Sequence, residues 1–267
     1  MEREPMLLAI DIGNTNVTVG AFDGRRLLAD WRLQTDANRT PDEYGILLTA
    51  LIRDAGREPD DVDAVWVGSV VPVLTRTIRE AVSRRFGLTP EFITCATPTG
   101  IQLDVERPDE VGADRIVNAV AVTELYGAPA IVVDFGTATT FDVVLKGGVY
   151  VGGAILPGIQ VSMNALFDRA ALLSRVELRR PPNVVGRNTT TCVQSGFYYG
   201  FIGQVDNLIV EMTRELGETP RVVATGGLAP LIASESRRVD AVDPSLTLKG
   251  IQLIHERVSS PTSASSR

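Results

Sequence analysis

The chain has 267 residues, 44% hydrophobic and 22% charged, with a net charge of −7 and a pI near 4.9. That is enough for one large domain or two ordinary ones with real cores, and the acidic balance argues against non-specific nucleic-acid binding. Two cysteines without a CxxC and one histidine, His255, argue against a disulfide framework, a zinc site or a His-based triad. No apolar run reaches the length of a membrane span, and residues 1–5 are too short and charged for a secretory signal. The expectation is a soluble, cytoplasmic protein with no membrane partner.

In chain order, residues 7–11 read as a buried strand. Residues 17–22 and 26–33 read as two more, joined by a turn at Asp23-Gly24. Residues 41–55 have helical spacing and begin with Thr40-Pro41, a good N-cap and first-turn pair. A strand over 64–69, a helix over 74–86 ended by Gly87 and a strand over 91–95 complete a β-β-β-α-β-α-β series. After a polar stretch, a helix over 115–126 stops at Gly127. The pattern then restarts, with strands at 131–134, 139–145 and 149–154. Helices over about 160–173 and 191–216 follow, then a strand at 221–225, a short helix from Leu228 and a strand or helix near 246–255. The Ser-rich end, 258–267, reads as a disordered tail. The division expected is 1–114, 115–257 and that tail: an α/β protein of two similar halves with mixed sheets and a cleft between them.

The repeat is sharpest in two turns. "LLAIDIGNTNVTVGAFDG" (7–24) and "IVVDFGTATTFDVVLKGG" (131–148) each run from an apolar strand through Asp-x-Gly and threonine into a second strand. Asp11 answers to Asp134, Gly13 to Gly136, and Thr15 to Thr137 or Thr139. Such a turn can aim backbone N–H groups at an anion, with glycine allowing close approach. An aspartate tolerates phosphate beside it only through a cation, Mg²⁺ through water or a monovalent ion directly. One such turn would be ordinary hairpin chemistry; two of them, with "VVATGG" (222–227) later, describe a metal–nucleotide clamp. There is no GxxxxGK[ST], so it is not a P-loop.

These elements resemble the superfamily of acetate kinase, sugar kinases, heat-shock chaperone ATPases and actin, whose duplicated ribonuclease H-like domains clamp ATP. Within it the chain resembles the type III pantothenate kinases. The likeness runs from Leu7 to about Ile254 and rests on "DIGNTN" (11–16), "EVGADRIVNAVA" (110–121), "VVDFGTATTFDVV" (132–144), "GGAILPGIQ" (152–160), "GRNTT" (186–190) with "VQSGFYYG" (193–200), and "ATGGLA" (224–229). The resemblance implies that Asp11, Ile12, Gly13, Asn14, Thr15, Asn16, Val17, Thr18 and Thr137 bind the ATP phosphates. It implies that Gly112, Ala113, Asp114 and Arg115 bind pantothenate, with Asp114 the base, and that Asp134 holds K⁺ or NH₄⁺. It implies Mg²⁺ with ATP, and a homodimer in which Thr189 reaches the partner's pantothenate. One departure stands out: the family often has a tyrosine seven residues before the GADR glycine, and here that residue is Val105.

The activity implied is phosphorylation of the primary hydroxyl of pantothenate by ATP, giving 4'-phosphopantothenate, the first step towards coenzyme A. A phosphohydrolase of the same fold, such as an exopolyphosphatase, and a non-catalytic nucleotide-binding homologue are the alternatives. Asp114 and Thr189 could instead be helix caps, and Arg115 a surface cation. Gly196, Gly200 and Gly203 fall on one face of the long helix, which implies close packing of another backbone, from this chain or a dimer mate. Cys95 and Cys192 are expected to be buried, and His255 has no assigned role.

Overall fold

The computed structural model describes residues 6–170 and 172–259. The expectation at 1–5 and most of that for the tail lie outside these residues. Two compact units divide the chain: the first takes the residues up to Ala121 together with those from Leu246 onward, and the second is Val122–Ser245.

In the first unit β1 (Met6–Ile12), β2 (Asn16–Asp23) and β3 (Arg26–Gln34) form an antiparallel meander. Helix α1 (Pro41–Asp54), β4 (Val62–Ser69), α2 (Pro72–Phe86) and β5 (Glu91–Phe92) follow, and the strand order is β3-β2-β1-β4-β5. Strand β1 is parallel to β4 and buried on both faces, which explains its unbroken apolar run. Leu8, Ile10 and Ile12 point to the side of α1 and α2, where Tyr44, Leu48, Leu74 and Ile78 complete the core. Leu7 and Ala9 point to the other side, against Val117 and Val120 of α3 (Ala113–Tyr126) and Leu248, Ile251 and Ile254 of α7 (Leu246–Ser259). Local signals set the helix ends. Thr40 and Glu43 cap α1 reciprocally, a device worth about 1 kcal/mol. Gly87 closes α2 in the left-handed region at φ 66°.

After the two-residue β6 (Gln102–Leu103), the second unit holds β7 (Ala130–Phe135), β8 (Ala138–Leu145), β9 (Val149–Pro157), α4 (Ile159–Arg169), α5 (Thr189–Leu216), β10 (Arg221–Thr225), α6 (Ala229–Ala233) and β11 (Ala241–Val242). Its strand order β9-β8-β7-β10-β11 repeats the first unit's third-second-first-fourth-fifth arrangement, with β7·β8 antiparallel and β7·β10 parallel. Ile131, Val133, Phe135, Phe141 and Val143 face Tyr198, Phe201, Val205 and Ile209 of α5. Tyr126 donates to Asp243 at 3.0 Å, and burial together with that bond pushes its pKa up to about 12.

Both sheets are mixed and the duplication is real, but several expectations need correction. The units do not divide at 114/115. Val117 and Val120 of α3 belong to the first core, and the boundary falls further along that helix, after Ala121. The stretch near 246–255 is a helix that returns to the first unit and runs on through Ser259, past the start expected for a tail. On it, half-buried His255 lies 5.8 Å from the Trp66 ring, and burial lowers its pKa. The strand expected over 91–95 is only Glu91–Phe92, and α4 stops at Arg169. Cys95 and Cys192 are exposed, not buried: Cys95 lies beyond β5, and Cys192 is on an uncovered side of α5.

Candidate active site

Each unit builds a turn where its first strand hands over to its second. In the first unit Gly13 N donates to Asn16 O at 2.9 Å, and a Cβ on Gly13 would lie 3.2 Å from that same oxygen. The third strand's end ties the turn down: Thr35 N donates to Thr15 O at 3.0 Å, and Thr35 Oγ1 to Gly13 O at 2.6 Å. Asn14 and Thr15 form the exposed tip, and Asn14 has no hydrogen-bond partner among the described residues. Ile12 and Val17 are core residues at 0% and 1% exposure, so only their backbone could serve a ligand. Asn16 and Thr18 are half-buried.

The second unit repeats the device one residue shorter. Gly136 N donates to Ala138 O at 3.0 Å, and Gly158 N, just past β9, donates to Thr137 O at 3.0 Å. A Cβ on Gly158 would lie 2.3 Å from Thr137 O, so only glycine fits there. This settles which threonine answers Thr15. It is Thr137, because both carbonyls accept from the residue that follows the third strand. Thr139 instead matches Val17 in register and is 1% exposed, with its hydroxyl unpartnered among the described residues.

The aspartates sit on the faces that strand alternation dictates. Asp11 follows Leu7 and Ala9 onto the α3 side of the sheet and pairs across the ladder with Gly68 of β4. A Cβ on Gly68 would lie 3.8 Å from Asp11 Oδ1 and 3.9 Å from Val117 Cγ2. Asp134 holds the corresponding position at the end of β7, with Thr140 opposite on β8 and Thr225 opposite on β10. Its Oδ1 lies 2.6 Å from where a Cβ of Gly226 would be, and Gly226 adopts φ 89°. The glycine of "ATGG" is therefore needed twice, for its left-handed backbone and for its lack of a side chain. Behind Asp134, fully buried Asp142 accepts from Tyr150 Oη at 2.9 Å and Thr140 Oγ1 at 3.1 Å.

The GADR motif opens α3. Ala113 is buried, Gly112, Asp114 and Arg115 are half-buried, and Asp114 lies within the first helical turn rather than preceding it. Its Oδ1 accepts from Arg115 N at 2.8 Å. The loop from β4 to α2 joins this motif to the first turn. Val70 N donates to Ile12 O at 3.0 Å, and a Cβ on Gly112 would lie 3.3 Å from Val70 Cγ1. Sequence reasoning missed that loop, although a strand followed by "SVVP" with proline opening a helix marks a tight connection at a sheet's functional edge.

Thr189 is the first residue of α5, exposed, and not its cap. The cap is Asn188, whose Oδ1 accepts from Thr191 N at 2.9 Å. Thr189 lines a groove of about 1120 Å³ with Arg187, Cys192, Gly196, Phe197 and Leu166. A Cβ added at Gly196, Gly200 or Gly203 would meet no atom within 4 Å beyond its own helix among the described residues.

With this geometry in place, the chain can be set beside known proteins. A family model described as type III pantothenate kinase matches residues 7–211. A type III pantothenate kinase of Moorella thermoacetica is 52% identical over 252 residues, covering 94% of this chain and 99% of its own. One from Anaeromyxobacter sp. strain Fw109-5 is 53% identical with the same coverage. Among solved structures, the ethanolamine utilization protein EutJ of Carboxydothermus hydrogenoformans superposes with a TM-score of 0.55 over 94% of this chain and 90% of its own, at 15% identity, a likeness of fold alone.

Proposed function

The chain belongs to the type III pantothenate kinase family, and on that premise we propose which of its residues carry the reaction. As a member it is an ATP-dependent kinase that phosphorylates the primary hydroxyl of pantothenate, the first step towards coenzyme A. As in kinases generally, ATP enters with a divalent cation such as Mg²⁺.

One observation carries the assignment: the end of β4 and the residue after it, Gly68 to Val70, touch both Asp11's turn and Asp114's motif, within one unit. Residues 11–18 hold the ATP phosphates. Asn14, Thr15, Asn16 and Thr18 offer side chains, Gly13 gives close approach, and Ile12 and Val17 contribute backbone only. Asp11 would hold the divalent ion that accompanies ATP, and Thr137, in the matching turn, is assigned to the phosphates as well. Gly112 and Ala113 shape the pantothenate pocket, and Arg115 pairs with the substrate carboxylate, a geometry that suits guanidinium. The substrate oxygen then attacks the γ-phosphorus as the bond to the β-bridging oxygen breaks, and the hydroxyl proton passes to Asp114. Such transfers are loose, so alignment and charge neutralisation supply most of the rate. The enzyme works in the cytoplasm.

Asp134 is the residue for a monovalent cation. A carboxylate oxygen is the donor a hard cation takes, and Asp134 is half-buried, not sealed in the core. ADP release from ATP is the decisive measurement. It should require pantothenate, run in K⁺ or NH₄⁺ and fall in Na⁺ alone, and Asp134→Asn should lower both the rate and the ion dependence. Release without pantothenate would indicate the hydrolase instead. Full activity in Na⁺ with Mg²⁺ present would end the cation assignment.

The working form is a homodimer. Among the described residues, no atom beyond the helix itself lies within 4 Å of a Cβ placed at Gly196, Gly200 or Gly203, yet glycine in a helix costs roughly 1 kcal/mol each against alanine. A second copy against that face explains the choice and brings Thr189 to the partner's pantothenate. Thr189→Ala and Asp114→Asn proteins, each impaired alone, should recover some activity when mixed, because one site of the mixed dimer has both residues intact. A verified mixed dimer without activity would refute shared sites.

A further inference from the structure

We propose that Val70 is a substrate-selecting residue: its side chain holds the two methyl groups next to the reacting hydroxyl of pantothenate. This rests on the reading of Asp114 as the group that meets that hydroxyl.

Val70 is half-buried and stands between the two parts of the first unit's site. Its N–H donates to Ile12 O at 3.0 Å, which fixes it beside the phosphate turn. Its Cγ1 lies 3.3 Å from the point where Gly112 would carry a Cβ, which fixes it beside the GADR motif. The next residue is held as well, since Val71 N donates to Ser69 Oγ at 3.2 Å. An apolar side chain left partly exposed between two polar motifs has no core to complete on that side.

The substrate's chemistry supplies the match. The hydroxymethyl group of pantothenate is attached to a quaternary carbon bearing two methyls, three bonds from the reacting oxygen. A hydroxyl brought from Asp114 towards the phosphates therefore carries both methyls into the space between the GADR motif and the phosphate turn. Val70 is the apolar side chain placed in that gap by the contacts above. The methyls then do two things. They bury apolar surface, and they fix the rotation of the hydroxymethyl group, so that a proper fit favours the in-line geometry.

The test compares pantothenate with the analogue in which both methyls are replaced by hydrogen. Wild type should favour pantothenate in kcat/KM by roughly tenfold or more, the scale of methyl-sized contacts in an apolar pocket. Val70→Ala should lose most of that preference by slowing on pantothenate while changing little on the analogue. The backbone tether to Ile12 survives the substitution, so folding should too. Val70→Thr keeps the shape, presents a hydroxyl, and should lose part of the preference; it serves if the alanine protein fails to fold. Equal loss on both substrates would show that Val70 only shapes the Gly112 loop, and an unchanged ratio, or a wild type indifferent to the methyls, would equally overturn the proposal. Asp114→Asn, assayed in parallel, judges the underlying site reading by itself: near-normal turnover there refutes that reading whatever the methyl preference does.

Discussion

Replacing Asp114 with asparagine is expected to give a folded protein whose turnover falls roughly 10²-fold or more, the range for lost general-base catalysis. The substitution keeps the shape and a side-chain oxygen, so the acceptor for Arg115 N at 2.8 Å can be retained. What disappears is the negative charge and the ability to take the substrate's proton. A carboxylate in the first turn of α3 also complements the helix dipole, worth about 0.3–1 kcal/mol. The melting temperature should therefore drop only slightly, while ATP binding, proposed above to draw on the turn at residues 11–18, should persist. Initial rates, a melting curve and a nucleotide titration on one preparation separate these effects. Turnover within a few-fold of wild type would mean that another group accepts the proton. Ready unfolding would make Asp114 chiefly structural.

Gly250→Ala should be among the most destabilising single methyl additions in the chain. Gly250 lies on α7 against α3, and a Cβ there would come 2.3 Å from Val117 O and 2.7 Å from Val117 Cγ1. The first of these atoms is backbone, so no rotamer change relieves the clash and the helices must separate. Overpacking of this kind costs about 1–3 kcal/mol and occasionally more. Alanine's better helix propensity returns at most about 1 kcal/mol. The net loss should be about 2 kcal/mol, read as a lower denaturant midpoint. Because Val117 lies one turn beyond Asp114 on the same helix, the remaining folded protein should also be slower. A midpoint equal to wild type would show that α7 can shift without loss.

Much of this was legible in the sequence, for local reasons. The Asp-x-Gly turns, the glycine helix stops and the Thr40 cap are set by residues within a few positions of one another, and the structure has them where the sequence puts them. The paired turns also implied two halves built on one plan, with the same succession of strands and helices. Long-range packing was less readable. Nothing local in "LTLKGIQLIHERVS" says that Leu248, Ile251 and Ile254 cover the sheet built from the chain's first strands. The choice between Thr137 and Thr139 turned on a hydrogen bond from Gly158, some twenty residues away. The glycines of α5 were visible as a face, but only the structure shows open space beside their Cβ positions among the described residues. Val70 carries no motif of its own, and its position emerges only when β1, β4 and α3 meet.

The return of α7 to the first unit has a consequence for how the protein is made. The second unit, Val122–Ser245, is one unbroken segment and is complete while the ribosome is still adding the helix that follows. The first unit is not. Strand β1 emerges first, yet one face of its sheet waits for Leu248, Ile251 and Ile254, which are synthesised more than 200 residues later. Domains generally fold as units during synthesis, and contacts between distant residues are slow to form. The order of birth is thus reversed in the order of completion: the segment made first is finished last. Until α7 arrives, Leu7, Ala9 and Trp66 have only the part of their cover that α3 supplies, and the nascent chain offers a half-covered, sticky sheet face to whatever folding helpers attend it.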